Sequence, residues 1–343
     1  MDISVPYYSD FSRISNSNIG WFLNKGPAYL HKMLTDPPPE EKNSTLERGT
    51  MIHEYLLQPE EFQKDYVVWD KSRPSSAQQE KFCRELANSL EIEPNKALLS
   101  AYRASYSTTN KAEEKMLSEA SKIASELKEY IDFLKSGDSR KMIGHWDVKM
   151  LEKIKQNIQS HKLASKIIWF VGYGEYPADS PIMPGDKMAL WHEFHINWEY
   201  YIKMAAGVKC KSLLDGLTLD FENKTAIIYD LKTTQKLWHF EESIHQYDYL
   251  RQLCFYYQAV VWYLQYELGM KDWNDWTFKF YIIGIDTTGS NEIRVFEIDK
   301  NDVYSRKDTI LSAMQDIWWH QTTDKWDHTR AYYEGDGSEQ LNL

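Results

Sequence analysis

The chain has 343 residues and a mass of 40.5 kDa, a length for roughly two domains or one large domain with insertions. Apolar residues make up 42% and charged residues 27%, which excludes a disordered or fibrous chain. Forty Lys and Arg against fifty-one Asp and Glu leave a net charge of −11, which excludes a protein that simply coats nucleic acid.

In chain order, Ser15 to Leu23 predicts a helix capped by Ser15 or Ser17. A break follows at Pro37-Pro38-Pro39, then a helix over Leu46–Leu57, ended by Pro59. Ser76–Leu90, Asn95–Tyr106 and Lys111–Leu134 have helical spacing, with Gly137 as the stop, and a further helix is expected over about 147–168. From about residue 188 the period changes to two. LWHEFHINWEYYI, VKCKSLLDGLTLDF and KTAIIYDLKTT read as three strands of an antiparallel meander, with loops at Met204–Gly207 and Glu222-Asn223. A long helix over Ile244–Glu267 comes next, then a hairpin of FKFYIIGID and EIRVFEID, a helix over Lys307–His320 and a loose tail.

No stretch approaches about 18 uninterrupted apolar residues, so no membrane span is expected. MDISVPYYSDF does not read as a secretory signal, and Cys83, Cys210 and Cys254 suggest no disulfide framework, so a cytoplasmic location is expected. Thirteen Trp, 23 Tyr and 13 Phe should be mostly core, with a minority free to stack on bases.

The sharpest feature is Asp215 followed by Asp230-Leu231-Lys232. On a strand Asp230 and Lys232 share one face. A carboxylate suits a hard cation such as Mg²⁺, and a lysine beside it can orient an attacking hydroxide or offset charge developing on a phosphate. Alone, Asp-x-Lys is a surface pair, and Asp147-Val-Lys149 repeats it on a helical stretch. Register adds weight. A hairpin turning at Glu222-Asn223 sets Asp215 opposite Asp230, about 5 Å apart at Cβ. A turn centred on Met204 sets Glu193 opposite Asp215. Such a row of acids repels itself unless a cation sits among them. His53, in the helix after Gly49, reads by itself as a packed histidine. Gln252 and Tyr256 share a helix face, which either packs on the sheet or supports the lysine or a phosphate.

The ordered set Gly49-x-x-x-His53, Glu193, Asp215, Asp230-x-Lys232-Thr-Thr and Gln252-x-x-x-Tyr256 resembles the RecB-like branch of the PD-(D/E)XK nucleases, closest to exonuclease VIII (RecE-type) enzymes of phages and prophages. ISNSNIGWFLNKGPAYL, RGTMIHEYLLQPEEF and SHKLASKIIW strengthen the resemblance, which covers roughly residues 10–70 and 155–320. It implies an α/β restriction-endonuclease-like core, a central mixed sheet with an antiparallel meander flanked by helices, plus a large helical insertion. Residues 1–70 would carry the His53 helix, 71–165 the insertion, 166–334 the nuclease core and 335–343 a tail. Asp215, Asp230, His53 and the Leu231 carbonyl would hold one or two Mg²⁺ or Mn²⁺ ions, with Glu193 as a further acid for which His195 and Glu199 compete. Lys232 would be catalytic. Two departures stand out: Leu214 rather than Pro precedes Asp215, and the helical block exceeds what the core needs. Three cysteines exclude an iron–sulfur cluster. The implied activity is digestion of linear duplex DNA from the 5′ end, leaving 3′ single strands for an annealing partner in recombination. A ring-shaped oligomer, and the host cytoplasm for a phage protein, go with it. The alternatives are an endonuclease or nickase on the same core, and a non-catalytic DNA-binding scaffold.

Overall fold

Ser15 opens the first helix, α1 (Asn16–Lys25). Its hydroxyl accepts the Asn18 N–H while the Asn18 amide oxygen accepts the Ser15 N–H, a reciprocal cap that leaves no role for Ser17. This computed structural model describes residues 6–38, 44–91, 93–108, 111–169, 187–203 and 206–338. The expected turn at Met204, the start of the expected core at 170–186 and residues 339–343 of the expected tail lie outside them. α2 (Pro27–Thr35) begins on Pro27, where no amide hydrogen is missed. α3 (Ser44–Leu57) buries Met51, Ile52, Leu56 and Leu57, and α4 (Pro59–Asp65) starts on the proline that closes it.

The chain packs as two units, Glu60–Lys149 and the remainder, Met1–Pro59 with Met150–Leu343. The helices of the first unit, α5 (Ala77–Ala87), α6 (Pro94–Ser105), α7 (Glu113–Glu126) and α8 (Lys128–Lys135), close around Phe82, Tyr102, Ala120 and Ile131. The helix expected over 111–134 is two, because Leu127 leaves helical geometry (φ −112°) while staying buried. Two three-residue strands, β1 (Tyr66–Val68) and β2 (Lys141–Ile143), pair in parallel and are too short to show a period. The helix expected over 147–168 also divides, into α9 (His145–Ser160) and α10 (Ala164–Trp169). Between them His161 Nδ1 accepts the N–H groups of Leu163 and Ala164, capping the new turn.

The other unit holds a five-stranded mixed sheet in the order β3 (Met188–Lys203), β4 (Ala206–Asp220), β5 (Thr225–Thr234), β6 (Thr277–Asp286), β7 (Ile293–Ile298). Its first three strands form the expected antiparallel meander, β5 and β6 run parallel, and β7 returns antiparallel. Next to it come α11 (Phe240–Gln246), α12 (Tyr249–Trp262), α13 (Lys300–Tyr304), α14 (Lys307–Thr323) and α15 (Arg330–Glu334). Leu253, Phe255 and Val260 of α12 and Met314 and Ile317 of α14 join Ile196, Leu217, Ile228, Phe280 and Ile282 of the strands in one buried cluster. The helix expected over 244–267 is interrupted. Asp248 turns left-handed (φ 48°), and its carboxylate accepts from Arg251 at 3.3 Å and Arg306 at 2.8 Å. α12 then ends in a π turn over Tyr263–Glu267.

The observed registers set Phe194 opposite Leu214 and Gly216 opposite Tyr229, the frames that align Glu193, Asp215 and Asp230 in one row. The ladder itself is broken there. His192–Gly216 and Phe194–Leu214 are paired but Glu193 is skipped, with φ at +49°. The β4–β5 ladder ends at Gly216 and Tyr229. Beyond that point β5 pairs with β6 alone, while β4 takes Ile14 as a neighbour through Ile14 N–H to the Lys209 carbonyl and Lys211 N–H to the Ile14 carbonyl. The sheet forks between Asp215 and Asp230.

Candidate metal centre

The fork explains why acids collect where a continuous sheet would bury apolar side chains. With the ladder ended, the Leu231 N–H lacks a strand partner and is taken instead by the Asp215 carboxylate at 2.6 Å. Asp215 is thus fixed with one oxygen on β5 and is buried. His53 reaches the same place from α3. Its Nε2 lies 3.1 Å from the Leu231 carbonyl, and its Nδ1 is 3.7 Å from Asp215 Oδ2 and 3.8 Å from Glu193 Oε1. An Nε2–H donated to Leu231 turns Nδ1 toward the two acids. Gly49, one helical turn earlier, lets α3 come close to β5: a Cβ there would lie 3.3 Å from the Thr233 hydroxyl.

Asp230 and Lys232 form the second half of the site. Lys232 Nζ is 2.5 Å from Asp230 Oδ2 and stands 5.0 Å above the Tyr249 ring. Gln252 Nε2 donates to Asp230 Oδ1 at 3.0 Å and also lies 2.8 Å from the Tyr256 hydroxyl. The α12 face carrying Gln252 and Tyr256 therefore packs on the sheet and also touches the Asp-x-Lys pair. Asp230 itself is only 2% exposed.

Electrostatics follow from this crowding. Burial works against a charged His53, but Asp215 and Glu193 outweigh it and hold the imidazole up at about 9. Burial raises the Asp215 carboxyl, against the pull of His53, and Glu193 raises it further. Burial likewise pushes Asp230 up to about 6, although Lys232 beside it pulls the other way. Burial disfavours the Lys232 ammonium, yet Asp230 and Asp215 more than compensate and raise its pKa.

His53, Glu193 and Asp215 each offer a ligand atom, all within 4.8 Å of one another, and could hold a metal ion. The donor set suits a divalent cation. Three acids face one lysine, so with His53 neutral the cluster carries a charge of −2. Oxygen donors with one imidazole fit Mg²⁺ or Mn²⁺, the imidazole favouring the latter.

Of the residues expected from sequence, the structure brings His53, Glu193 and Asp215 together. Asp230 stands apart from that group, engaged by Lys232 and Gln252, and the Leu231 carbonyl faces His53. Glu193 is separated from its competitors: His195 packs edge-on against Tyr7, and Glu199 lies opposite Lys209 further along the strand. Tyr249, under Lys232, was not anticipated; its place at the start of α12 depended on the break at Asp248.

No protein-family model matches the chain, and no curated protein matches it. Among solved structures it is similar to a crystal structure from Eubacterium rectale that carries the provisional name of an exonuclease. The identity is 13%, covering 98% of this chain and 93% of that one, with a TM-score of 0.47. A likeness of this size leaves the functional reading to the site itself.

Proposed function

We propose that this chain is a metal-dependent nuclease that hydrolyses phosphodiester bonds in DNA. The observation that carries the reading is the fork of β4 and β5. It juxtaposes a His53–Glu193–Asp215 group with an Asp230–Lys232 pair on the next strand. His53, Glu193 and Asp215 would hold the ion, with Asp230 able to join from the neighbouring strand. When bound, the ion supplies Lewis acidity and a more acidic attacking water. Lys232 places a positive charge where negative charge grows on the phosphate, and Asp230 and Tyr249 hold that ammonium in place. Gln252 fixes the Asp230 carboxylate, and the Leu231 carbonyl fixes the His53 ring.

The finer reading is an exonuclease that digests linear duplex from the 5′ end and leaves 3′ single strands for an annealing partner. It rests on the motif order shared with exonuclease VIII-type enzymes. The net charge of −11 supports a local grip on DNA rather than broad coating. A ring-shaped oligomer belongs to the same reading. The test is incubation of end-labelled linear and closed circular duplexes with Mn²⁺, Mg²⁺ or EDTA. Metal-dependent loss of the linear substrate alone is expected. Cleavage of the circle would favour an endonuclease, and cleavage undiminished by EDTA would overturn the metal assignment.

A further inference from the structure

Six residues past Lys232, Trp238 exposes 72% of its surface. Single exposed aromatics are ordinary, but this one is held. The Arg294 guanidinium lies 4.8 Å from its ring centroid, and Leu237 anchors the adjoining backbone. Leu237 Cδ1 lies 2.8 Å from where a Cβ on Gly284 would be, so any larger residue there would push Leu237 from its seat. Gly284 is the register partner of Lys232 on one side and of Arg294 on the other. Lys232, Gly284 and Arg294 thus form one transverse row across β5, β6 and β7, about 10 Å from end to end at strand spacing.

Ring contacts bridge the same interval. Lys232 lies over Tyr249. Tyr249 stacks on Phe240 at 6.0 Å, Phe240 on Phe296 at 4.9 Å, and Arg294 covers both Phe296 and Trp238. Beside Trp238 opens a cleft of about 410 Å³. Lys236 and His239 border it, with Thr288, Asp286 and Glu292. Asp286 already accepts hydrogen bonds from Thr288 and Ser290, while Glu292 is exposed. Asp286, Glu292 and Thr288 offer acceptors to the edge of a base, whose ring carries hydrogen-bond donors. Arg294, and Lys236 on exchanging its exposed pair with Glu242 at 3.4 Å, can take the flanking phosphates.

We infer that Trp238 is a stacking platform for one unpaired nucleotide of a DNA strand, seated in the cleft beside the Lys232–Arg294 row. The inference deepens the nuclease reading and rests on it: the substrate engaged is a locally single-stranded end. An aromatic face with an arginine against it is the sequence-tolerant way to hold an unpaired base.

The experiment measures binding of a fluorescein-labelled 12-nucleotide single strand by anisotropy in EDTA, so that no cleavage intervenes. Trp238→Ala should weaken binding about 5- to 150-fold, the range for one stacked base. Trp238→Phe should keep most of the affinity. A strand of abasic units with the same charge should bind the parent protein as weakly as the normal strand binds Trp238→Ala, and should not distinguish parent from variant. Parent cleavage of linear duplex with Mn²⁺ is measured alongside. If the parent cleaves but Trp238→Ala binds the normal strand as tightly as the parent, the stacking role is overturned and the nuclease reading stands. If the parent neither binds nor cleaves DNA, both fall.

Discussion

His53→Gln separates two roles that the fork assigns to one imidazole. His53 Nδ1 faces Asp215 at 3.7 Å and Glu193 at 3.8 Å. Burial alone would lower its pKa, yet the carboxylates hold it at about 9 against an ordinary 6.5. The folded-state value is the raised one. The pairing therefore stabilises the metal-free fold fully below pH 6.5 and is lost as pH rises through 9. The difference is worth about 3 kcal/mol. A cation that uses Nδ1 must displace this proton. Apparent Mn²⁺ affinity should then rise about tenfold per pH unit between about pH 6.5 and 8.5, with close to one proton released per ion. Asp230, held at about 6, is largely ionised across that window and adds little to the slope. An isolated histidine would put the acidic limit of metal binding near its ordinary pKa of about 6.5; the crowded site moves it upward. Calorimetric titration with Mn²⁺ in buffers of different ionisation enthalpy measures both affinity and proton release. His53→Gln should bind more weakly, release almost no proton and lose the slope. A flat affinity in the parent, or an unchanged slope in the variant, would refute the assignment of His53 to the ion.

Lys232→Ala should leave the protein folded and slow cleavage of end-labelled duplex by about 10²- to 10³-fold, the usual loss of one transition-state contact; a near-parent single-turnover rate would remove Lys232 from catalysis. Asp215→Asn should weaken Mn²⁺ binding while preserving the fold, since the amide can still accept the Leu231 N–H but lacks the charge a hard cation needs; calorimetry showing unchanged affinity would exclude it as a ligand. Asp147 accepts the Gly144 N–H at 2.8 Å at the start of α9. Asp147→Ala should cost about 1 kcal/mol in a urea melt and leave turnover unchanged, and a large rate loss would show that this second Asp-x-Lys has a part in the chemistry. Gly216→Ala would drive a methyl into the Tyr229 ring that covers it. Destabilisation by about 1–3 kcal/mol is expected, and an unaltered melting curve would mean that the ring is free to move aside.

What the sequence determined was mostly local and periodic. Alternation over 188–234 marked three strands, and the turn residues set their register, because a slip of one position would turn every apolar side chain to the wrong face. Asp230 and Lys232 could be placed on one face for the same reason. Helix interruptions were hidden, since the apolar spacing of 244–267 runs straight through Asp248. Only the arginines at 251 and 306, converging on its carboxylate, make the left-handed break worthwhile. Tertiary structure alone decided the site. His53 meets the Leu231 carbonyl across 178 residues of chain, and no spacing rule reports a distance of that kind. Glu193 was distinguished from His195 by a skipped position in the β3–β4 ladder and a positive φ, neither of which alternation of residues announces. The charges behaved likewise. Asp215 and Asp230 are both raised in the buried fork, because desolvation and mutual repulsion arise only when the strands meet.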